Sequence, residues 1–276
     1  MGLFETRPMG RVFICGLLLF VIACSGGKRP GAAREIKRIV SLAPNITEMM
    51  FFAGAQQRLV GTDDFSDYPP AAKTLPKVGG TQPNIEKIIA LKPDLVLAST
   101  SSRPPGLESS LGAADIPLVW IRTDRLPDVP RALGEVSQLA GVRSVATLVK
   151  VGISEQRRVR AHPPRVLFVV WTDPIYVAGH DTFVGDLLEL CGAVNAADVK
   201  GWPQYSLESL VAHPPDVMLY PNVSVKPEAV QQLLARAPGV RERTRIVPVE
   251  ENVFVRPGPR VVEAARQLNA ILDAQK

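Results

Sequence analysis

The sequence predicts an α/β protein built from two Rossmann-like lobes with parallel sheets, joined by one long helix. Three observations carry that expectation. The segment NIEKIIALKPDLVL, beginning at Asn84, returns as SLESLVAHPPDVML at Ser206 and shares Glu86/Glu208, Ala90/Ala212, Pro93/Pro215, Asp94/Asp216 and Leu97/Leu219. In each copy a short helical pattern stops at a proline and gives way to a continuous apolar run, as in strands buried on both faces. Between the copies, apolar residues recur at helical spacing over 142–162, bounded by Gly141 and by Pro163-Pro164. A repeat this long is a duplicated lobe and not a solenoid unit.

Taken in order, the chain opens with an export signal. Arg7 and Arg11 precede VFICGLLLFVIA, an apolar run too short to cross a bilayer of ~30 Å as a helix. The run ends in VIAC, which resembles the bacterial lipoprotein signal, so 1–23 is expected to be removed and Cys24 to become a lipidated N-terminus; an ordinary signal peptide is the alternative. The stretch 24–37, with SGGKRPGAAREIK, has the Gly-rich, basic composition of a flexible tether. Its Lys28, Arg29, Arg34 and Lys37, with Arg38, are either simply solvated or placed to meet anionic headgroups. Loss of the signal leaves a net charge of +4 from +5, ordinary for this size, and neither the charge nor export points to nucleic acid.

The first lobe is expected over 38–141. RIVSLA reads as a strand, followed by a helix opened by Asn45 with Glu48 at capping-box spacing and closed at Gly54. Strand RLVGT, the loop DDFSDYPPAAKTLPKVGGTQP, the first copy of the repeat, a helix near 106–113, strand PLVWIR and a helix over 129–140 complete it. Asn84 and Ser206 are N-cap residues for the repeated helices. The connecting helix would be ~30 Å long, with Gly152 as a weak point. The second lobe, 163–276, runs through RVLFVVW, IYVAG, a helix over 182–191, the second copy, a helix over 228–235, strand RIVPV and a terminal helix over 261–274. Cys191 is the one thiol left in the folded part, on the apolar side of its helix, and is expected to be buried and inert.

No catalytic pattern stands out. G-x-S-x-G, H-E-x-x-H, C-x-x-C and a phosphate-cradling glycine loop are all missing, and His162, His180 and His213 lie scattered without ligand spacing. Neither a metal site nor a resident cofactor is expected. What does stand out is where aromatics fall, because ligands in parallel α/β lobes bind beyond the carboxyl ends of strands. Phe65, Tyr68, Trp171, Tyr176, Trp202 and Phe254 follow strands or lie in loops, so they are candidates to line a cleft; core packing is the competing reading for each. Trp120, inside a strand, is assigned to the core. With Thr81, Asn252 and Arg256 as polar groups, such a lining suits a bulky, flat, amide-rich ligand.

The same residues carry a family resemblance. RIVSLAPNITEMMFFAGA, LVGTDDFSDYPP, VGGTQPNIEKIIALKPDLVLAS, YVAGHDTFVGDLLELCGA, WPQYSLESLVAHPPDVML and FVRPGPRVVEAARQLNAIL resemble the class III solute-binding proteins of ABC importers, most closely their cobalamin-binding branch. The resemblance implies two α/β lobes bridged by a rigid helix, a modest closing motion and a ligand in the cleft. It implies permease docking through one glutamate on each lobe, at Glu86 and Glu208. Taken singly, each of these is also explained as an acid stabilised by a helix dipole. Pro44, Phe65, Thr81, Trp171, Tyr176, Trp202, Asn252, Val253, Phe254, Val255 and Arg256 form the expected ligand-binding set. Phe65 stands where that branch has a tyrosine, Thr81 where an aromatic is expected, Asn252 in place of an acid, and Asn269 where a partner for Cys191 would fall.

The expected function is therefore that of a monomeric, lipid-anchored, extracytoplasmic carrier. It would bind a corrinoid, cobalamin first, and deliver it to an ABC importer permease dimer with its ATPase subunits. A ferric siderophore or haem carrier is the alternative, and an exported enzyme of the same shape a remote one.

Overall fold

A computed structural model of the protein describes residues 36–274, so the expected signal, Cys24 and the tether up to residue 35 lie outside the described residues. The first lobe runs β1 (Ile39–Ser41), α1 (Pro44–Phe52), β2 (Leu59–Thr62), α2 (Ile85–Ala90), β3 (Leu95–Ser99), α3 (Leu107–Ala113), β4 (Leu118–Ile121) and α4 (Asp128–Leu139). A connecting helix α5 (Ala146–Glu155) leads to β5 (Arg165–Thr172), β6 (Ile175–Val177), α6 (Phe183–Leu190), β7 (Val194–Asn195), α7 (Leu207–Ala212), β8 (Val217–Pro221), α8 (Pro227–Arg236), α9 (Val240–Arg243), β9 (Arg245–Val249), α10 (Glu251–Phe254) and α11 (Val261–Asp273). The first sheet is parallel, in the order β2-β1-β3-β4; in the second, of order β6-β5-β8-β9, β5 pairs in parallel with β8 and β7, β8 in parallel with β9, and β6 runs antiparallel to β5. That one departure from a parallel sheet has a local cause. Only Asp173 and Pro174 separate β5 from β6, and so short a link can close a hairpin but not a crossover.

The repeat is a structural frame. Asn84 Oδ1 accepts from Lys87 N at 2.9 Å and Ser206 Oγ from Ser209 N at 2.9 Å, so both helices are capped as their sequences predict. The shared aspartates tie each copy to the first strand of its lobe. Asp94 Oδ2 accepts from Lys37 N and Arg38 N at 3.0 Å, and Asp216 Oδ2 accepts from Arg165 N at 2.7 Å.

Side chains alternate across the strands with the period of two that a pleated sheet imposes. Ile39, Leu95, Leu97, Val166, Phe168, Val217 and Leu219 all point into one core, shared by both lobes and filled by α1, α4, α6 and α11. Val40 and Val96 point the other way, onto α2 and α3; Leu167, Val169 and Met218 point outward onto α7 and α8. The two lobes are thus two sheets clamped on a common layer of helices. Cys191 lies in that layer, where burial pushes its thiol up to about 12, as expected of an inert cysteine.

Three expectations need correction. Asn45 does not cap α1: Ala43 is the N-cap, Pro44 opens the helix, and Asn45 Nδ2 donates instead to Thr123 Oγ1 at 2.9 Å and to Pro257 O at 3.3 Å. Trp120 packs against the core cluster of α2 and α3 as expected, but on edge strand β4 it is only partly buried, with Arg103 stacked 4.7 Å from its ring centre. The connecting helix covers Ala146–Glu155, about 15 Å, and not 142–162. Tertiary contacts claim its last turns. Arg158 N bonds Leu190 O at 3.0 Å, and the Arg160 guanidinium reaches Cys191 O, Asn269 and Asp273.

Gly152 is a contact rather than a weakness, because a Cβ there would lie 2.9 Å from Val262 Cγ2 of α11. Gly152→Ala is therefore expected to lower stability by about 1 kcal/mol in denaturant unfolding, although alanine is the better helix former. Adding Val262→Ala should recover part of that loss relative to Val262→Ala alone.

Candidate functional site

A cleft of about 530 Å³ opens between the lobes. The first lobe contributes the turn into α1 (Ala43, Pro44, Asn45) and the segments leaving β3 and β4 (Ser99, Ser101, Thr123, Asp124). The second contributes Asp181, Thr182, Phe183, Gly201 and Trp202, with Val255, Arg256 and Pro257 ahead of α11. These first-lobe segments all leave the carboxyl edge of the sheet, where a parallel α/β lobe is open to ligands.

Its charges are set by contacts behind the lining. Glu48, on α1, is only 3 % exposed, and its carboxylate accepts from Arg260 Nε at 2.9 Å, Arg260 Nη2 at 2.7 Å and Arg256 Nη1 at 3.3 Å. Arg256 also donates to Asp67 Oδ1 at 2.7 Å and to the Phe65 carbonyl at 3.3 Å. Burial alone pushes the Asp67 carboxyl up, but the hydrogen-bonded Arg256 outweighs it and holds the group below the usual carboxylate range. Arg256 is therefore already neutralised by two carboxylates. Across the cleft Arg125 donates to Asp186 at 2.8 and 2.6 Å and to Asp181 at 3.0 Å, and its hydrogen bonds to Asp186 raise the arginine's pKa. Asp181 adopts a left-handed backbone, φ 61°, at the lip of the cleft. Opposite it, Asp124 Oδ1 accepts from Ser101 Oγ at 3.0 Å.

The loop carrying Phe65 and Asp67 has its own anchor. Lys77 Nζ donates to Thr62 Oγ1 at 2.9 Å and to the carbonyls of Asp63, Ser66 and Ala72 at 3.2, 2.6 and 3.3 Å. Burial raises the Asp63 carboxyl, which accepts from Ser66 Oγ and Phe65 N.

Of the expected ligand-binding residues, Pro44, Trp202, Val255 and Arg256 line the cleft. Phe65 and Thr81 are exposed outside that lining, Phe65 joined to it only through its carbonyl on Arg256. Trp171 and Tyr176 face each other across the β5–β6 hairpin, both exposed and outside the cleft lining, with Tyr176 bridged to Gln204 two residues beyond Trp202. Asn252 gives its carbonyl to Arg260 Nη2 at 3.0 Å. Val253 and Phe254 are corrected: each is 1 % exposed, because the short helix α10 turns both inward and leaves Val255 and Arg256 facing out. Ser99, Ser101, Thr123, Asp124, Asp181 and Thr182 were missed. Following every strand past its carboxyl end, and not only those that lead to aromatics, is the signal that finds the first four.

Glu86 and Glu208 are both exposed in the first turns of α2 and α7, with no ion-pair partner among the described residues. A helix that runs back before its strand starts at the carboxyl edge of the sheet, so both glutamates lie toward the cleft end of their lobes.

Among the described residues no group of three His, Cys, Asp or Glu is placed to hold a metal ion. The cleft lining offers hydroxyls, carboxylates, amide and carbonyl groups, and one compensated guanidinium, a set suited to holding a ligand between two lobes. That defines a binding protein.

The chain belongs to the periplasmic binding protein family, whose pattern it matches over residues 39–244. Members of this family bind and hand over ligands and are not enzymes; membership implies a small-molecule ligand, an ABC transporter as partner and a periplasmic location. Its curated relatives include the vitamin B12-binding protein of Pectobacterium atrosepticum, 32 % identical over 84 % of this chain and 87 % of the relative. Among solved structures it resembles the periplasmic heme-binding protein RhuT from Roseiflexus sp. RS-1 (TM-score 0.75, 29 % identity, covering 85 % of this chain and 97 % of that one). It also resembles the periplasmic vitamin B12-binding protein BtuF of Vibrio cholerae (TM-score 0.70, 26 % identity, covering 87 % and 99 %).

Removing the Glu48 carboxylate would take from two partly buried guanidinium groups the acid that they share and leave them with Asp67 and Glu250 alone. Glu48→Gln is expected to cost about 3 kcal/mol of stability in denaturant unfolding. Glu86→Gln, at an exposed position, should change it by under about 0.5 kcal/mol.

Proposed function

We propose that this protein captures a corrinoid, cobalamin first, in the interlobe cleft and delivers it to an ABC importer while anchored to the membrane through lipid on Cys24. The observation that carries the reading is the chemistry of the lining. Asp124, Asp181, Ser99, Ser101 and Thr123 present acceptors and hydroxyls, which suit a ligand edged with neutral primary amides. Trp202 and Val255 supply apolar surface for a flat macrocycle. The vitamin B12-binding relatives support the same ligand class.

Haem is the second reading, favoured by the likeness to RhuT. The lining argues against it. It contains no His, Tyr, Cys or Met to serve as an axial ligand to iron, and its one cation is engaged by Glu48 and Asp67 rather than open to propionates or an anionic siderophore. Phe65, Thr81, Trp171, Tyr176 and Asn252 join the corrinoid reading as rim residues that a ligand larger than the cleft would touch.

Calorimetric titration of the purified protein with cyanocobalamin, haem and a ferric siderophore tests the choice. Saturable binding of cyanocobalamin at micromolar concentration is expected, with haem and siderophore weaker; the reverse order would transfer the assignment to the second reading. Glu86 and Glu208 are proposed to dock on the permease, since they are two exposed, uncompensated acids at equivalent positions of duplicated lobes. Glu86→Lys with Glu208→Lys should abolish ligand uptake by cells and leave ligand affinity unchanged, because rim charges act on association with a partner and not on the cleft. Undiminished uptake by the double variant would remove the docking role.

A further inference from the structure

We infer that α5 and the basic loop after it form a surface that rests on an anionic bilayer. The helix buries Val149 in the shared core, yet its other side exposes Leu148 (65 %) and Val151 (48 %), and Val159 in the following loop is 97 % exposed. Such apolar groups, on a segment rich in exposed cations, match the interfacial region of a membrane, where short aliphatic side chains enter the acyl boundary and basic ones meet headgroups.

The cations are Arg143, Lys150, Arg157 and Arg158. Arg143, Lys150 and Arg157 have no acidic partner among the described residues, and the Arg158 guanidinium donates only to the carbonyls of Glu155 and Arg157. Glu155, four residues from Val151 and seven from Leu148 and so on their face, is the one acid on α5, and the four cations outnumber it. Arg160 is not among them; it ties the base of the loop to Cys191 O, Asn269 and Asp273, so Val159 is held out from a fixed stem.

The place where the chain leaves the described structure points to the same occupant. The Arg58 guanidinium donates to the Ile36 carbonyl and lies over Gly141, where a Cβ would come 3.5 Å from it. Gly141 begins the lead into α5, two residues before Arg143. The described chain therefore begins, at Ile36, beside this surface. The residues between Cys24 and Ile36 include Lys28, Arg29 and Arg34, and their covalent length limits the separation of Cys24 from Ile36 to about 40 Å. An acylated Cys24 would hold the surface within reach of the headgroups; the inference rests on that anchor for its setting, not for its chemistry.

The surface is separate from the docking positions: α5 packs on α4 and α11 of the shared core, whereas α2 and α7, which carry Glu86 and Glu208, cover the outer faces of their sheets.

The test uses the chain from residue 24 with Cys24→Ser, so that no lipid holds it, and vesicles of phosphatidylcholine alone or with about 30 % phosphatidylglycerol. Co-sedimentation with the anionic vesicles only, weakened by salt, is expected. Arg143→Glu with Lys150→Glu should reduce it at least about tenfold, Leu148→Ser with Val151→Ser several-fold, and neither pair should alter cyanocobalamin affinity or the unfolding midpoint. Neutralising Lys28, Arg29 and Arg34 should leave most of the binding in place. Equal binding to both vesicles, no binding to either, loss confined to the tether variant, or lipid-free dimerisation through Leu148 and Val151 would each overturn the inference. Ligand binding is read separately, so its failure would count against the corrinoid assignment and not against this surface.

Discussion

The buried carboxylate of Glu48 is the constraint on which the geometry of the cleft depends. A charge so far out of water persists only if its counter-charges arrive at hydrogen-bonding distance, and both arrive from the other lobe, on Arg256 and Arg260. The ion cluster therefore requires that α1 and the segment before α11 keep one spacing. Everything at the cleft floor follows from that spacing. The Asn45 amide reaches Pro257 O, Arg256 swings to Asp67, and Tyr68 lies under Arg260, whose guanidinium stacks 4.0 Å from the ring centre. Arg125 with Asp186 performs the same service on the other side, so the cleft is braced at both ends by pairs that cross between lobes.

These braces also set the character of the cleft. Each arginine near it is committed to a carboxylate, while Asp124 is met only by hydroxyls. The side chains that remain free to address a ligand are therefore mostly acceptors and hydroxyls. Such a lining favours a ligand that donates, since an anionic group entering it would face the Asp124 carboxylate, which among the described residues is met by hydroxyls and by no cation.

Much of the frame was legible in the sequence because it is local. A cap, a proline stop and an apolar run are written in consecutive residues, so the repeat predicted α2–β3 and α7–β8 together with their capping residues Asn84 and Ser206. The cleft was legible only in part, because its lining is assembled from short segments far apart in the chain. Four of the expected residues fall there, and Val253 and Phe254 are turned into the core by a four-residue helix that no periodicity announces. Glu48 shows the same limit from the other side. Three residues from Asn45 it has the spacing of a capping box, and only the fold reveals that its partners are more than two hundred residues away. The overlong connecting helix fails for a similar reason: its apolar pattern continues past Glu155, but Leu190 and Cys191 offer the backbone and Arg160 better partners than another helical turn would.

A common layer of helices between the two sheets has a consequence for any partner that grips both halves at once. Parting the two halves would expose a cluster to which Ile39 and Leu97 of one sheet and Val166 and Phe168 of the other all belong, so the packing opposes a wide swing like the covers of a book. To the extent that it does, whatever measures the span between the outer corners meets the same gauge on a vacant carrier as on a filled one. Vacant carriers would then compete for the same berth, and recognition of the cargo would fall to the groups that touch it directly.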